Sequence, residues 1–463
     1  MESYKRMRNK RLFQCAVGLC LAAMPWPAFA QLTQKRSGLE RHGKAWTETF
    51  EWNGPAREGG KLILRADMGS VEITPGAGNQ LEGHVVVRVF TGSEEKARRV
   101  FDAFQLSVRS LESGGVYVSA EFGGSRHHDS SMGADFAIKI PVRFSLDVET
   151  RGGDIGLEGP LQGEARLTTA GGDIRAADIG GPIRVETAGG NIGLGNVGGR
   201  AEVRTAGGNI HLGNVRGDAT IETSGGEIEV GQVEGALRTE TAGGDIVIAG
   251  ATGTVMAETA GGQIQCGPTG GSVRAQTAGG NIHLRGAHGR VVAETAGGSI
   301  DLLQLGAGVR ANTSAGRILA AFDAGTKTFV ASQLETSMGD VYVYIPVGLS
   351  LTIDAAIDAA AGHHIVTDFP LSILGDKEDF SERTIRGHGT LNGGGEVLRI
   401  RTVAGNIEIR KLDARNMEEL KSHEDSSWSR IQEQQAEKAQ KERERQQQRR
   451  ERQGEKEDEH EQE

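Results

Sequence analysis

Cysteine, proline and aromatic residues are scarce in this chain of 463 residues, which carries 3 Cys, 10 Pro and only 5% Phe, Trp and Tyr. Cys15 and Cys20 fall among the first twenty residues, so Cys266 stands alone in the remainder and no intramolecular disulfide can staple it. No uninterrupted apolar run approaches the roughly 20 residues that a membrane-spanning helix needs. A cationic surplus is missing too: the formal net charge is −10. That balance argues against a nucleic-acid partner. What the chain has instead is glycine, 69 of them, so its stability must come from a regular hydrogen-bonded ladder rather than from sulfur or stacked rings.

The two ends differ from the middle. Lys5, Arg6, Arg8, Lys10 and Arg11 precede a short apolar stretch at 12–24, and Ala28-Phe29-Ala30 offers small residues for cleavage. Residues 1–30 therefore read as a secretory signal peptide, with no transmembrane segment left after cleavage and a mature protein that is periplasmic, at the cell surface or extracellular. Without them the chain has 47 basic against 61 acidic residues. Residues 412–463 form a charged helical or disordered tail. From 432 onward Ala436 and Ala439 are its only apolar side chains, which leaves no coiled-coil seam.

Between these ends a phrase close to Thr-Ala-Gly-Gly-Asp-Ile recurs. Its second glycine falls at Gly172, Gly190, Gly208, Gly226, Gly244, Gly262, Gly280 and Gly298, and Gly316 keeps the phase, so every step is 18 residues. A fixed period of this size predicts a solenoid whose coils bury their apolar faces only by stacking. Each unit splits into two nine-residue halves with glycine fourth and apolar residues sixth and eighth, as in 241–249 and 250–258. Each half reads as a turn plus a short strand. The fold class that follows is all-β: a flattened parallel β-solenoid, β-helix-like or β-roll-like, of 18-residue coils with two short strands each. The glycine pairs mark tight corners that need positive φ or an approach too close for a Cβ. Asp154, Asp173, Asn191, Asn209, Asp245 and Asn281, which follow the pairs, are placed to cap those turns.

The array is predicted at 151–320. Residues 31–150 read as an N-terminal β-rich cap, with strands at 46–52, on either side of Met68-Gly69-Ser70 and at 84–90. One helix follows, with Glu94 and Glu95 in its first turn and Val100, Phe101 and Phe104 on one face. Residues 107–122 read as a hairpin. Residues 321–411 keep the strand-turn grammar at wider spacing and serve as irregular capping coils.

No catalytic, cofactor-binding or metal site emerges. His127-His128-Asp129 and His363-His364 invite a metal reading, but no spaced third ligand accompanies either, and both read as solvated loop. In calcium-binding β-rolls an aspartate holds the sixth place of the nonapeptide, where this chain carries an apolar residue. The glycine pairs lack the Lys-Ser/Thr ending and the following helix of a phosphate loop. Cys266, at an eighth position, reads as a small apolar filler. One outward ladder stands out: Glu186, Glu222, Glu240, Glu258 and Glu294 recur at one place, interrupted by Arg204 and Gln276, with Arg184, Arg238 and Arg274 two residues earlier. It reads as a mixed ion-pair lattice, with an acidic binding groove as the sharper alternative.

The segments 140–155, 335–346 and 398–412, together with the repeats, resemble the bacterial putative-adhesin family, a β-strand-repeat domain of unknown function. The resemblance spans about 60–411 and implies the fold; no catalytic residue carries over from it. The function expected is that of a non-enzymatic, exported cell-envelope protein whose rigid solenoid offers an adhesin-like binding or structural surface to an envelope protein or polysaccharide. The alternatives are a solenoid polysaccharide lyase or hydrolase, and a rod that self-associates through its sheet edges.

Overall fold

The computed structural model describes residues 32–422 apart from 112–113, 124–131, 327, 361, 376–383, 419 and 421. Residues 1–30, read above as a signal peptide, His127-His128-Asp129 and the tail beyond 422 lie outside the described residues. Two long sheets of 19 and 18 strands face one another, as the strand-turn grammar predicts for a β-solenoid. At about 4.8 Å per strand the 18-stranded sheet runs roughly 80 Å.

One coil shows how the sequence builds the rest. Ile192–Leu194 forms a three-residue strand of the narrow sheet, and Ala201–Thr205 a five-residue strand of the wide sheet. Each pairs in parallel with its equivalent 18 residues on, Ile192 opposite Ile210 and Ala201 opposite Ala219. Ile192, Leu194, Ala201 and Val203 point inward and are buried. Because strand side chains alternate, a slip of one residue would turn this whole set to solvent, which pins the register. Between the two strands Val197 makes a single parallel bridge to Val215, and Ile179, Val233, Ala251 and Thr269 continue this third buried ladder. Each coil thus has two strands and one extra inward residue at the corner joining them.

The other corner is held by threonine. The Thr205 hydroxyl donates to the Gly190 carbonyl of the preceding coil at 2.9 Å and accepts the Gly208 N–H of its own coil at 3.2 Å. Thr187, Thr223, Thr241, Thr259, Thr277 and Thr295 repeat both bonds. A hydroxyl that both donates and accepts can be buried without leaving a polar atom unsatisfied. The glycine after it is required for space. A Cβ on Gly190 would lie 2.0 Å from the Gly172 carbonyl oxygen. Positive φ is found at Gly153 and Gly339, where the array begins and ends, but not at Gly190. Of the two reasons for a corner glycine, close approach is the one that applies in the array.

The Asp and Asn side chains beside the corner do something other than cap their own turns. Asp173 Oδ1 accepts the backbone N–H of Asn191, Asn191 Oδ1 that of Asn209, and Asn209 Oδ1 that of Glu227, each at 2.8–2.9 Å. The expected intra-coil caps are thus corrected to bonds between coils: the side chain reaches an N–H 18 residues on because the coils stack at one strand spacing.

Both ends are interlocked. The wide-sheet strand Lys61–Ala66 lies between Val116–Phe122 and Ser145–Thr150, so the first coil in sequence is second in space. At the far end Val397–Ala404 inserts between Ser332–Met338 and Leu351–Ile357. Antiparallel strands cover the ends, among them Ala45–Pro55 against Gln80–Phe90, and Ile385–Leu391. The helix Glu94–Ala103, capped by Ser93, buries Ala97 and Phe101 over the N-terminal cap.

Candidate binding face

The outer face of the wide sheet carries two columns of side chains. In the first, Glu186, Arg204, Glu222, Glu240, Glu258, Gln276 and Glu294 are successive cross-strand neighbours. The structure therefore brings all five ladder glutamates into one line. In the second, Arg184 stands beside Glu202, and Arg238 beside Met256. Glu222, Glu240 and Glu258 are three consecutive carboxylates at one strand spacing, and adjacent unit charges about 5 Å apart repel by roughly 1 kcal/mol even in water. Cations relieve part of this: Arg204 reaches Glu222 at 3.0 Å and Arg238 reaches Glu240 at 2.8 Å. Glu258 forms no ion pair among the described residues. Arg184 turns away from Glu186 to pair with Glu202 in the next coil at 2.9 Å.

Beside this column runs an open groove of about 530 Å³, floored by the corner threonines Thr187, Thr205 and Thr223 and walled by Glu186, Arg204, Glu222 and Glu240. Its other wall is made by Ala188, Ala206 and Ser224, the residues that follow each threonine. Sequence reasoning passed over this wall because it treated Thr-Ala as part of the turn phrase; the recurrence of both residues every 18 positions was the available signal.

The narrow sheet offers a different row. His211 Nδ1 lies 3.0 Å from Glu229. This hydrogen bond holds the His211 pKa above its ordinary 6.5 and the Glu229 pKa below its ordinary 4.5. At the N-terminal end Glu72 and Glu158 share a hydrogen bond, which raises the Glu72 pKa. Cys266 is 1% exposed, and burial pushes its thiol up to about 11. A thiol so protonated is a poor nucleophile. The nine corner glycines Gly172 to Gly316 lie along the Thr corner, each stacked on the glycine of the coil before. His363 and His364 sit in a turn, their backbone N–H groups bonded to Ala360 O and Asn406 Oδ1. Among the described residues no group of three His, Cys, Asp or Glu could hold a metal ion, and no helix is long and apolar enough to cross a membrane.

Comparison with a family model agrees with this architecture. Residues 61–265 match the family model described as Toastrack DUF4097. The crystal structure of a putative adhesin from Bacteroides fragilis NCTC 9343 is 15% identical, with 54% of this chain and 95% of that one covered at a TM-score of 0.26. A putative cell adhesion protein from Clostridium sporogenes ATCC 15579 is 10% identical, with 82% and 100% covered at a TM-score of 0.15. Comparison with curated proteins gives no significant match.

Proposed function

We propose that this chain, whose residues 61–265 match the Toastrack DUF4097 family model, is an exported cell-envelope protein whose wide-sheet outer face binds an extended envelope polymer or protein bearing repeated cationic groups. The observation that carries the reading is the column Glu222, Glu240 and Glu258, set at one strand spacing, whose first two members wall an open groove. A straight row of carboxylates repels itself and gains by meeting a row of cations. An exposed pair is worth only about 0–1 kcal/mol, but a polymer meets several at once and the contacts act together. Export rests on the leader pattern in residues 1–30. A surface that repeats every 18 residues favours binding over catalysis, because turnover needs unlike groups converging on one bond.

The test measures binding of the full chain to an amino-bearing polysaccharide and to a neutral one of equal length, at low and high salt. Glu222→Gln/Glu240→Gln/Glu258→Gln should weaken binding to the cationic polymer by about tenfold, as expected for three exposed pairs, and leave the neutral one unaffected. Equal binding of both polymers by the native and substituted chains would remove the proposal. Release of reducing ends or unsaturated products from uronic-acid polymers would replace it with an enzymatic one.

A further inference from the structure

Strand alternation turns Gln265 outward from the narrow sheet, between the inward-facing Ile264 and Cys266. An outward amide on a solvated sheet should be wet. Gln265 is instead 2% exposed, and neither its amide nitrogen nor its oxygen has a hydrogen-bond partner among the described residues. Burial of both amide atoms without a partner is costly unless something supplies one. Along the same row the His211 and Glu229 side chains are 64% and 51% exposed, whereas those of His283 and Asp301 are 13% and 23% exposed. Val247, Leu319 and Tyr342 complete the covered stretch with half-buried apolar groups.

The chain itself arrives at this face. Its last strand, Ile407–Leu412, pairs beside the strand that carries Tyr342. Asp413 then caps a helical turn, accepting the Asn416 N–H at its carboxylate and the Met417 N–H at its carbonyl. Met417 and Leu420, one helical turn apart, are half-buried. Gln265 lies five strand steps back along the sheet. That is about 24 Å at one strand spacing, or roughly sixteen residues of helix rising 1.5 Å each from Asp413. Trp428 stands fifteen residues on, and Met417, Leu420, Trp428 and Ile431 are spaced by 3, 8 and 3, which keeps them on one helical face.

We propose that the outer face of the narrow sheet from Val247 to Tyr342 is the docking surface for this chain's own segment 413–431, lying along it as an amphipathic helix with Trp428 over Gln265. The indole N–H is a donor that the amide oxygen of Gln265 can accept. Ile431, three residues further, comes over Val247, one strand spacing on. The inference is independent of the binding role given to the wide sheet, whose face it leaves open.

Hydrogen–deuterium exchange of the full chain tests it. Amides of 420–431 should exchange at least about tenfold more slowly than those of 445–463. Val247→Arg/Leu319→Glu on the sheet should abolish that difference while strands near Ile192–Leu194 keep their protection, and so should Trp428→Ala/Ile431→Ala, which leaves the sheet untouched. Equal exchange of the two segments in the native chain would overturn the proposal, as would protection that survives the tryptophan and isoleucine substitutions. Protection lost on tenfold dilution would assign the face to a second copy and overturn it likewise.

Discussion

An added methyl group separates the two glycines of a corner. On Gly190 a Cβ would meet the Gly172 oxygen at 2.0 Å, backbone against backbone, whereas on Gly189 the nearest atom is the Gly171 oxygen at 3.8 Å. Gly190→Ala is therefore expected to destabilise the chain by about 3 kcal/mol, and Gly189→Ala to stay within about 0.5 kcal/mol, as read from the midpoints of urea unfolding. Matching losses would mean that the corner needs backbone freedom rather than space. Titration singles out another residue. The His211 pKa is raised by Glu229, so the pair's stabilisation is fully present below the ordinary 6.5 and fades as pH rises through the raised value. The Glu229 pKa is lowered, so its share is present above 4.5 and fades as pH falls through the lowered value. The pair therefore contributes between these limits, and by less than about 1 kcal/mol because both side chains are exposed. An NMR titration should place His211 above 6.5, and Glu229→Gln should return it there; an unmoved midpoint would show that the pair does not form.

Strands and ladders make the next scale. Cys266 closes the narrow-sheet strand Ile264–Cys266 with its side chain inward, 1% exposed and with a pKa near 11. A thiol reagent at pH 8 should leave it unmodified until denaturant unfolds the sheet; rapid labelling of the native chain would mean that this coil opens locally. The two main ladders were legible because Ile192 and Leu194, or Ala201 and Val203, alternate with outward residues and so announce a strand. The third ladder through Val197, Val215 and Val233 has one residue per coil and no alternation to announce it. The corner threonines are polar, and nothing in a local pattern says that stacking will satisfy Thr205 twice and let it be buried. The glutamate column could be read from its recurrence, but not the partner of each acid: that Arg184 reaches Glu202 rather than Glu186 depends on side-chain direction. The inserted strand Val397–Ala404 was beyond reach as well, since its neighbours are chosen by the closure of the solenoid rather than by adjacent residues.

Across the whole molecule the coils are interchangeable to the degree that their bonds repeat, and this can be put to a direct trial. Removing 223–240 joins Glu222 to Thr241, which restores the Glu-Thr junction found at Glu240-Thr241. Thr241, whose hydroxyl now donates to Gly226, would then donate to Gly208, as Thr223 does. Asn209, which now accepts the Glu227 N–H, would accept that of Asp245. Val215, now bridged to Val233, would meet Ala251. Each sheet loses one strand and no bond is left open, because every coil touches only its neighbours. The shortened chain should keep its β-sheet circular dichroism and melt within about 5 °C of the native chain. Removing only 223–231 sets one wide-sheet half against another and leaves the corner threonine without its glycine partner. That chain should lose its cooperative melt. If instead both deletions melt alike, the 18-residue coil is not the unit on which this structure is built, and the stacked bonds of Thr205 and its equivalents do not set the register.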